Sequence, residues 1–148
     1  MLDSNEVFSI GLSLSKNYAG LKLKKEDVQF LIQDAKQQVL RNYSDKDIIH
    51  IIIKNYKINN VDYDFLSTEI NCKSLSLDII FICLPKNITR ELKELFVKFN
   101  VSVNQISLSS YAKSLNYKSN FLTNENTAFI DIGYNKTSII YYKRNNIV

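Results

Sequence analysis

Residues 75–84 read LSLDIIFICL, and their alternation predicts a β-strand in the middle of the 148-residue chain. Every second residue is apolar and falls on one face of this strand: Leu75, Leu77, Ile79, Phe81 and Cys83. The opposite face begins with polar residues and then becomes apolar at Ile80, Ile82 and Leu84. A strand that is apolar on both sides is either buried twice within its own chain or presents one face to a partner. Ile80 and Ile82 are therefore candidate contact residues, unless the N-terminal strand or the segment after residue 100 covers them.

The segments around this strand predict the order strand, helix, strand, strand, helix. Residues 7–14 and 47–54 are rich in β-branched or aromatic side chains, which favour strands. Residues 25–41 place five apolar side chains on one face of a helix: Val28, Leu31, Ile32, Ala35 and Val39. An Asn59-Asn60 pair indicates a turn, and a second helix is predicted over residues 87–99. The predicted fold class is α+β, with two helices on one face of a small antiparallel sheet.

The remaining third of the chain predicts a different set of elements. Alternation over residues 101–108 indicates a further strand, and residues 111–115 indicate a short helix. A polar loop over residues 116–126 then leads to a β-hairpin, with strands at 127–131 and 137–142.

Composition excludes several classes of function. The net charge is +4 and the isoelectric point about 9.0, but the basic residues are scattered singly and no aromatic RNA-binding pattern accompanies them, so we expect no nucleic-acid partner. Cys72 and Cys83 have no metal-ligand spacing, which predicts buried thiols in a reducing cytoplasm. No signal peptide and no apolar run long enough to cross a bilayer is present, so a cytoplasmic location is expected.

Residues that could carry out catalysis are few. His50 is the single histidine and lies in an apolar strand pattern, which favours a structural role over that of a base, and no catalytic residue is predicted. One stretch, DIGYNKTS at 131–138, has an acidic residue at the end of a strand followed by a turn. Such a turn can bind a phosphate and its metal ion, which makes Asp131, Gly133 and Thr137 candidate phosphate-side residues. A plain hairpin turn is the alternative.

Several stretches, taken together and in order, resemble the FtsA family of bacterial actin-like cell-division proteins. IIHIIIKNYKI at 48–58 is similar to a characteristic strand of that family, and AFIDIG at 128–133 with KTSI at 136–139 is similar to its second phosphate hairpin. KKEDV at 24–28 resembles one of its helix starts, and SSYAKSL at 109–115 resembles another of its helices. The sequence departs from the pattern where Tyr134 and Asn135 replace glycines of the hairpin turn and Ile53 replaces a proline.

The resemblance implies a fragment of a larger protein. Residues 1–20 would end the first actin-like lobe, 21–100 would form the inserted interaction subdomain called 1C, and 101–148 would begin the second lobe. A complete nucleotide site needs both lobes, so the fragment is expected to be no enzyme and to hold no cofactor. ATP and Mg would bind only in the intact parent, with Asp131, Gly133 and Thr137 on the phosphate side.

The resemblance also implies partners and a place in the cell. The 1C subdomain serves filament-type self-association and recruits other division proteins to the septum, so the expected partners are the chain itself and other divisome components. The location would be the inner face of the cell membrane at the division site, reached through the intact parent or partners and without direct membrane insertion by this fragment. An actin-like ATPase of pilus assembly, which carries a similar insert, is the alternative parent.

Overall fold

The computed structural model describes residues 6–66, 70–118, 126–134, 136–143 and 146–147. These residues belong to two compact units, Phe8–Lys86 and a second unit that contains residues 6–7 as well as those from Asn87 onward. The first unit is built on a four-stranded antiparallel sheet, and the second contains a three-stranded antiparallel sheet. Helices accompany both sheets, so the predicted α+β class is confirmed.

The described residues of the first unit form one helix and four strands, in the sheet order β1-β4-β2-β3. Its elements are β1 (Phe8–Lys22), α1 (Lys25–Asn42), β2 (Lys46–Ile58), β3 (Val61–Tyr63) and β4 (Asn71–Pro85). Because β4 lies antiparallel between β1 and β2, those two strands are parallel to each other and α1 connects them across one face. The strand predicted at residues 75–84 is therefore the central element of the unit.

The core of the first unit lies between α1 and one face of the sheet. The predicted helix face is buried at Val28, Leu31, Ala35 and Val39. The predicted strand face is buried as well, and each of its members is at most 1% exposed: Leu75, Leu77, Ile79, Phe81 and Cys83. Full burial of one such large apolar side chain contributes about 1.5–3 kcal/mol. The helix and strand faces predicted from the sequence are both confirmed.

Local polar contacts fix the ends of these elements. The Asp27 carboxylate accepts a hydrogen bond from the Lys24 N–H at 2.9 Å and thereby caps the start of α1. Asn59 and Asn60 both have positive φ, 52° and 65°, which confirms the predicted turn between β2 and β3. The Asn59 amide also binds the start of β4, because its Oδ1 accepts the Lys73 N–H at 2.7 Å.

The two cysteines lie in β4 as buried, unbonded thiols. Burial raises the pKa of both Cys72 and Cys83. They are therefore protonated core side chains, and the prediction that they are buried is confirmed.

The second unit carries the C-terminal elements. They are α2 (Lys86–Val97), whose first residue still belongs to the first unit, α3 (Ser109–Tyr117), β5 (Asn126–Ile132), β6 (Thr137–Lys143) and β7 (Asn146–Ile147). The predicted hairpin is β5 and β6, in which Ile130 pairs with Ile139. Among the described residues, no helix is long and apolar enough to span a bilayer.

The strand predicted over residues 101–108 differs from the structure. Residues 101–107 form no regular strand, although their alternation predicts one. Alternation alone does not make a strand, because the backbone needs a neighbouring strand for its hydrogen bonds. The predicted boundary between residues 20 and 21 falls inside β1, which pairs with β4 as far as Lys22. Of the two helices predicted to cover the sheet, α1 packs on it within the first unit, whereas α2 is grouped with the second unit.

Candidate functional site

The sheet face opposite α1 has an apolar centre, which we call the outer face. It consists of Ile80 and Ile82 of β4, Ile52 and His50 of β2, and Gly11 of β1. The strand register brings these residues together, because Ile80 lies between Gly11 and Ile52 while Ile82 lies beside His50. The three isoleucines are half-buried, in contrast to the fully buried residues of the α1 face.

Among the residues that the structure describes, the outer face is open around Gly11, although Leu84, farther along the same face of β4, is buried. None of its five residues belongs to the apolar core around α1. A methyl group built on Gly11 would meet no atom within 4 Å, so the space above this part of β1 is empty. The N-terminal strand, which was one candidate to cover Ile80 and Ile82, extends the sheet sideways instead.

Polar side chains border the apolar centre on one side. The Ser13 hydroxyl donates to the Asp78 carboxylate at 2.5 Å, across the register from β1 to β4. On the β2 side of this row, Asn55 lies opposite Asp78 and donates from its Nδ2 to Asp62 at 2.8 Å. An apolar centre with a hydrogen-bonded polar border is the usual arrangement of a protein-binding surface. The sequence indicated Ile80 and Ile82, but their neighbours Gly11, Ile52 and His50 follow only from the register.

His50 is the titratable group of the outer face. It is half-buried beside Ile82, and burial lowers the pKa of its imidazole below the ordinary value of about 6.5. The folded chain therefore holds the neutral imidazole at neutral pH. This agrees with the structural role predicted for His50.

The lowered pKa of His50 predicts a loss of stability in mild acid. Below about pH 6.5 the unfolded chain binds a proton at His50 more readily than the folded chain does, so the free energy of unfolding falls until the pH drops below the folded-state pKa. Urea unfolding at about pH 7.5 and about pH 5.5 measures this loss. The variant His50→Gln, neutral at both values, is expected to lose less stability than the wild type. An equal loss in the two proteins would contradict the assignment.

The candidate phosphate residues lie in the hairpin of the second unit. Asp131, near the end of β5, is bound by the Lys113 ammonium of α3, whose Nζ lies 2.8 and 3.0 Å from the two carboxylate oxygens. The pair is partly buried, with the Asp131 side chain 21% exposed. Sequence reasoning missed Lys113 because its partner lies on another element, and residue spacing carries no signal for such a pair.

The hairpin register separates the other two candidates. Asp131 pairs with Ser138, whereas Thr137 pairs with Ile132, so the side chains of Asp131 and Thr137 point to opposite faces. The Gly133 N–H donates to the Lys136 carbonyl at 2.9 Å and closes the turn. In this arrangement Lys113 binds the Asp131 carboxylate and the Gly133 N–H is used within the hairpin, so the phosphate-side role of the three residues stays a prediction for an intact parent. Asn135 lies outside the described residues.

A buried hydrogen bond connects α3 with β6. The Ser114 hydroxyl lies 2.7 Å from the Tyr142 phenolic oxygen and also donates to the Tyr111 carbonyl at 2.8 Å. Ser114 is 0% and Tyr142 2% exposed, so this contact is inaccessible to a ligand and stabilises the unit. Within the part of the chain that the structure describes, no three His, Cys, Asp or Glu side chains group closely enough to hold a metal ion.

Comparison with known proteins does not assign the chain to a family. No protein-family model matches the chain, and no curated protein matches it. The relation to the FtsA family therefore stays a prediction that rests on the sequence resemblance alone.

Proposed function

We propose that this chain is a non-catalytic protein-interaction module of bacterial cell division, related to the 1C subdomain of FtsA. It associates with itself and recruits other division proteins at the septum, on the inner face of the cell membrane. The observation that supports the proposal is the outer face: an antiparallel sheet covered by α1 on one side and apolar at Ile80, Ile82 and Ile52 on the other.

The energetics of the outer face favour a protein partner over a small ligand. Burying an isoleucine side chain completely contributes about 1.5–3 kcal/mol of favourable free energy. The three isoleucines are half-buried, so a partner that covers them would gain the part of this free energy that folding leaves. The face is a sheet surface without a cluster of charged or nucleophilic groups among its members. Small-molecule sites are concave, whereas partner proteins cover broad surfaces with an apolar centre and a polar border.

The hairpin of the second unit supports the non-catalytic part of the proposal. Lys113 binds the Asp131 carboxylate that would otherwise face a metal ion, and the Gly133 N–H closes the turn. ATP and Mg, together with the candidate phosphate-side role of Asp131, Gly133 and Thr137, are proposed only for an intact actin-like parent.

The proposal predicts that the double variant Ile80→Ser/Ile82→Ser loses recruitment to the septum. Removing two apolar contacts from the centre of an interface costs about 2 kcal/mol or more, which is about 30-fold in affinity. A fluorescent fusion of the wild-type chain in a dividing bacterium is expected to form a mid-cell band, and the double variant is expected to lose it. Circular dichroism checks that the variant remains folded.

The matched control is Leu21→Ser, which removes an apolar side chain that is 74% exposed at the end of β1, away from Ile80 and Ile82. We expect it to keep the mid-cell band. A wild-type fusion that spreads evenly through the cell would contradict the proposed function. A double variant that unfolds would place Ile80 and Ile82 in the core and move the contact surface elsewhere.

A further inference from the structure

The first unit has a long open edge at β1. This strand is at the end of the order β1-β4-β2-β3, and among the described residues it pairs with β4 alone. Its register with β4 is unbroken from Phe8 to Asn17, ten residues that extend over about 34 Å. Along this length, the side of β1 away from β4 presents backbone donors and acceptors to which another strand can pair.

The β1 edge lacks the features by which proteins protect an open strand. Residues 8–15 read FSIGLSLS, with no charged residue and no proline, and the first irregularity comes after Asn17. The free part of β2 differs, since its register is broken by bulges between Ile48 and His50 and between Ile53 and Asn55. It also carries charged side chains at Lys46, Asp47 and Lys54. The contrast between two edges of one sheet singles out β1 as the edge on which a strand can dock.

We propose that the occupant of this edge is β1 of a second copy of the chain, paired antiparallel about a two-fold axis at Gly11. This inference rests on the proposed function, because it names the surface through which the module associates with itself. In this register Ile10 of each copy lies opposite Leu12 of the other on the α1 side, and Ser9 lies opposite Ser13 on the outer face. Apolar side chains thus pair with apolar side chains across the two strands, and serines pair with serines.

Charge favours a second copy as the occupant. A two-fold axis at Gly11 brings residue i of one copy opposite residue 22 minus i of the other. Charged residues close to the axis would therefore lie near the same charges of the second copy and repel them. Residues 8–15 carry no charge, so this repulsion does not arise. The first charged residue of β1, Lys16, lies five positions from the axis, so the Lys16 residues of the two copies lie at opposite ends of the paired segment and do not face each other. Phe30 of α1, 59% exposed, lies beside Lys16 with the ammonium 4.2 Å from its ring and adds apolar surface next to the edge.

The test places charges on the two-fold axis. In Gly11→Glu and in Gly11→Lys, two like charges face each other in the homodimer, which destabilises the pairing. The space around Gly11 is open, so the monomer accepts either side chain, and circular dichroism checks this. Sedimentation of the full chain is expected to show a dimerisation constant at least about tenfold weaker for each variant alone. An equimolar mixture of the two variants is expected to recover the dimer, because Glu then faces Lys.

The control Leu21→Glu places the same charge near the end of β1, outside the paired segment, and is expected to leave the dimer unchanged. Dimers that persist in both Gly11 variants, or a mixture that stays monomeric, would contradict the proposal that two copies pair through the β1 edge. A wild-type chain that is monomeric at all concentrations would overturn it too. Gly11 also belongs to the outer face, so the two proposals are separated with Ile80→Ser/Ile82→Ser, which alters the outer face but not the β1 edge: it is expected to keep the dimer in sedimentation while it loses the mid-cell band.

Discussion

We expect Phe81→Ala to lower the free energy of unfolding of the first unit by about 3–5 kcal/mol, a large part of the total stability of a small domain. Phe81 is 0% exposed on the central strand and packs in the core between α1 and the sheet. Truncating the ring removes its apolar burial and leaves a cavity that neighbours on two strands and a helix cannot fill. Urea unfolding followed by circular dichroism measures the change.

The control for this prediction is the next residue on the same strand. Ile82→Ala alters the outer face, where the side chain is half-buried, and we expect a loss below about 2 kcal/mol. The comparison holds strand, hydrogen bonding and replacement residue constant and changes only the face. Equal losses at the two positions would show that both faces of β4 are core. That result would also remove the outer face as a partner surface.

The elements that the sequence predicted correctly depend on local periodicity. Period-two alternation in residues 75–84 determines which side chains of β4 share a face, and helical spacing from Val28 to Val39 does the same for α1. The Asn59-Asn60 turn is likewise local, because asparagine tolerates the positive φ that a tight hairpin turn requires. These features need no knowledge of the neighbouring elements.

The elements that the sequence failed to predict depend on partners far along the chain. Residues 15–22 of β1 show little alternation, yet they form a strand because β4 offers them an edge. Residues 101–107 alternate well but form no strand. The strand order is similarly invisible, since β4 pairs with β1 across more than fifty residues of sequence.

The candidate sites follow the same division. Alternation placed Ile80 and Ile82 on one face, but the register supplied Gly11, Ile52 and His50 as their neighbours. In the hairpin, the sequence of residues 131–138 predicts one turn whose polar groups could lie close enough together to bind a phosphate. Strand pairing instead sends alternate side chains to opposite faces, and Lys113 of α3 binds the Asp131 carboxylate.

The second prediction with a large expected effect concerns the unequal stability of the two sheets. Among the described residues of the second unit, Tyr142 is the one buried apolar side chain, while the hairpin positions Ile130 and Ile139 are 55% and 68% exposed. Such a small sheet has little stability of its own. We expect amides of β5 and β6 to exchange at least about 100-fold faster than those of β4, a difference of about 3 kcal/mol in opening free energy.

Hydrogen exchange followed by mass spectrometry measures this difference on peptides that cover residues 126–143 and 71–85. Two variants of Tyr142 separate the contributions to hairpin stability. Tyr142→Phe removes only the hydrogen bond to Ser114, worth about 1 kcal/mol, whereas Tyr142→Ala also removes the buried ring and is expected to abolish protection of β6. Neither change should affect exchange in β4, because that strand belongs to the other compact unit. Equal protection of the two wild-type sheets would mean that the hairpin gains stability from contacts other than the Tyr142 core.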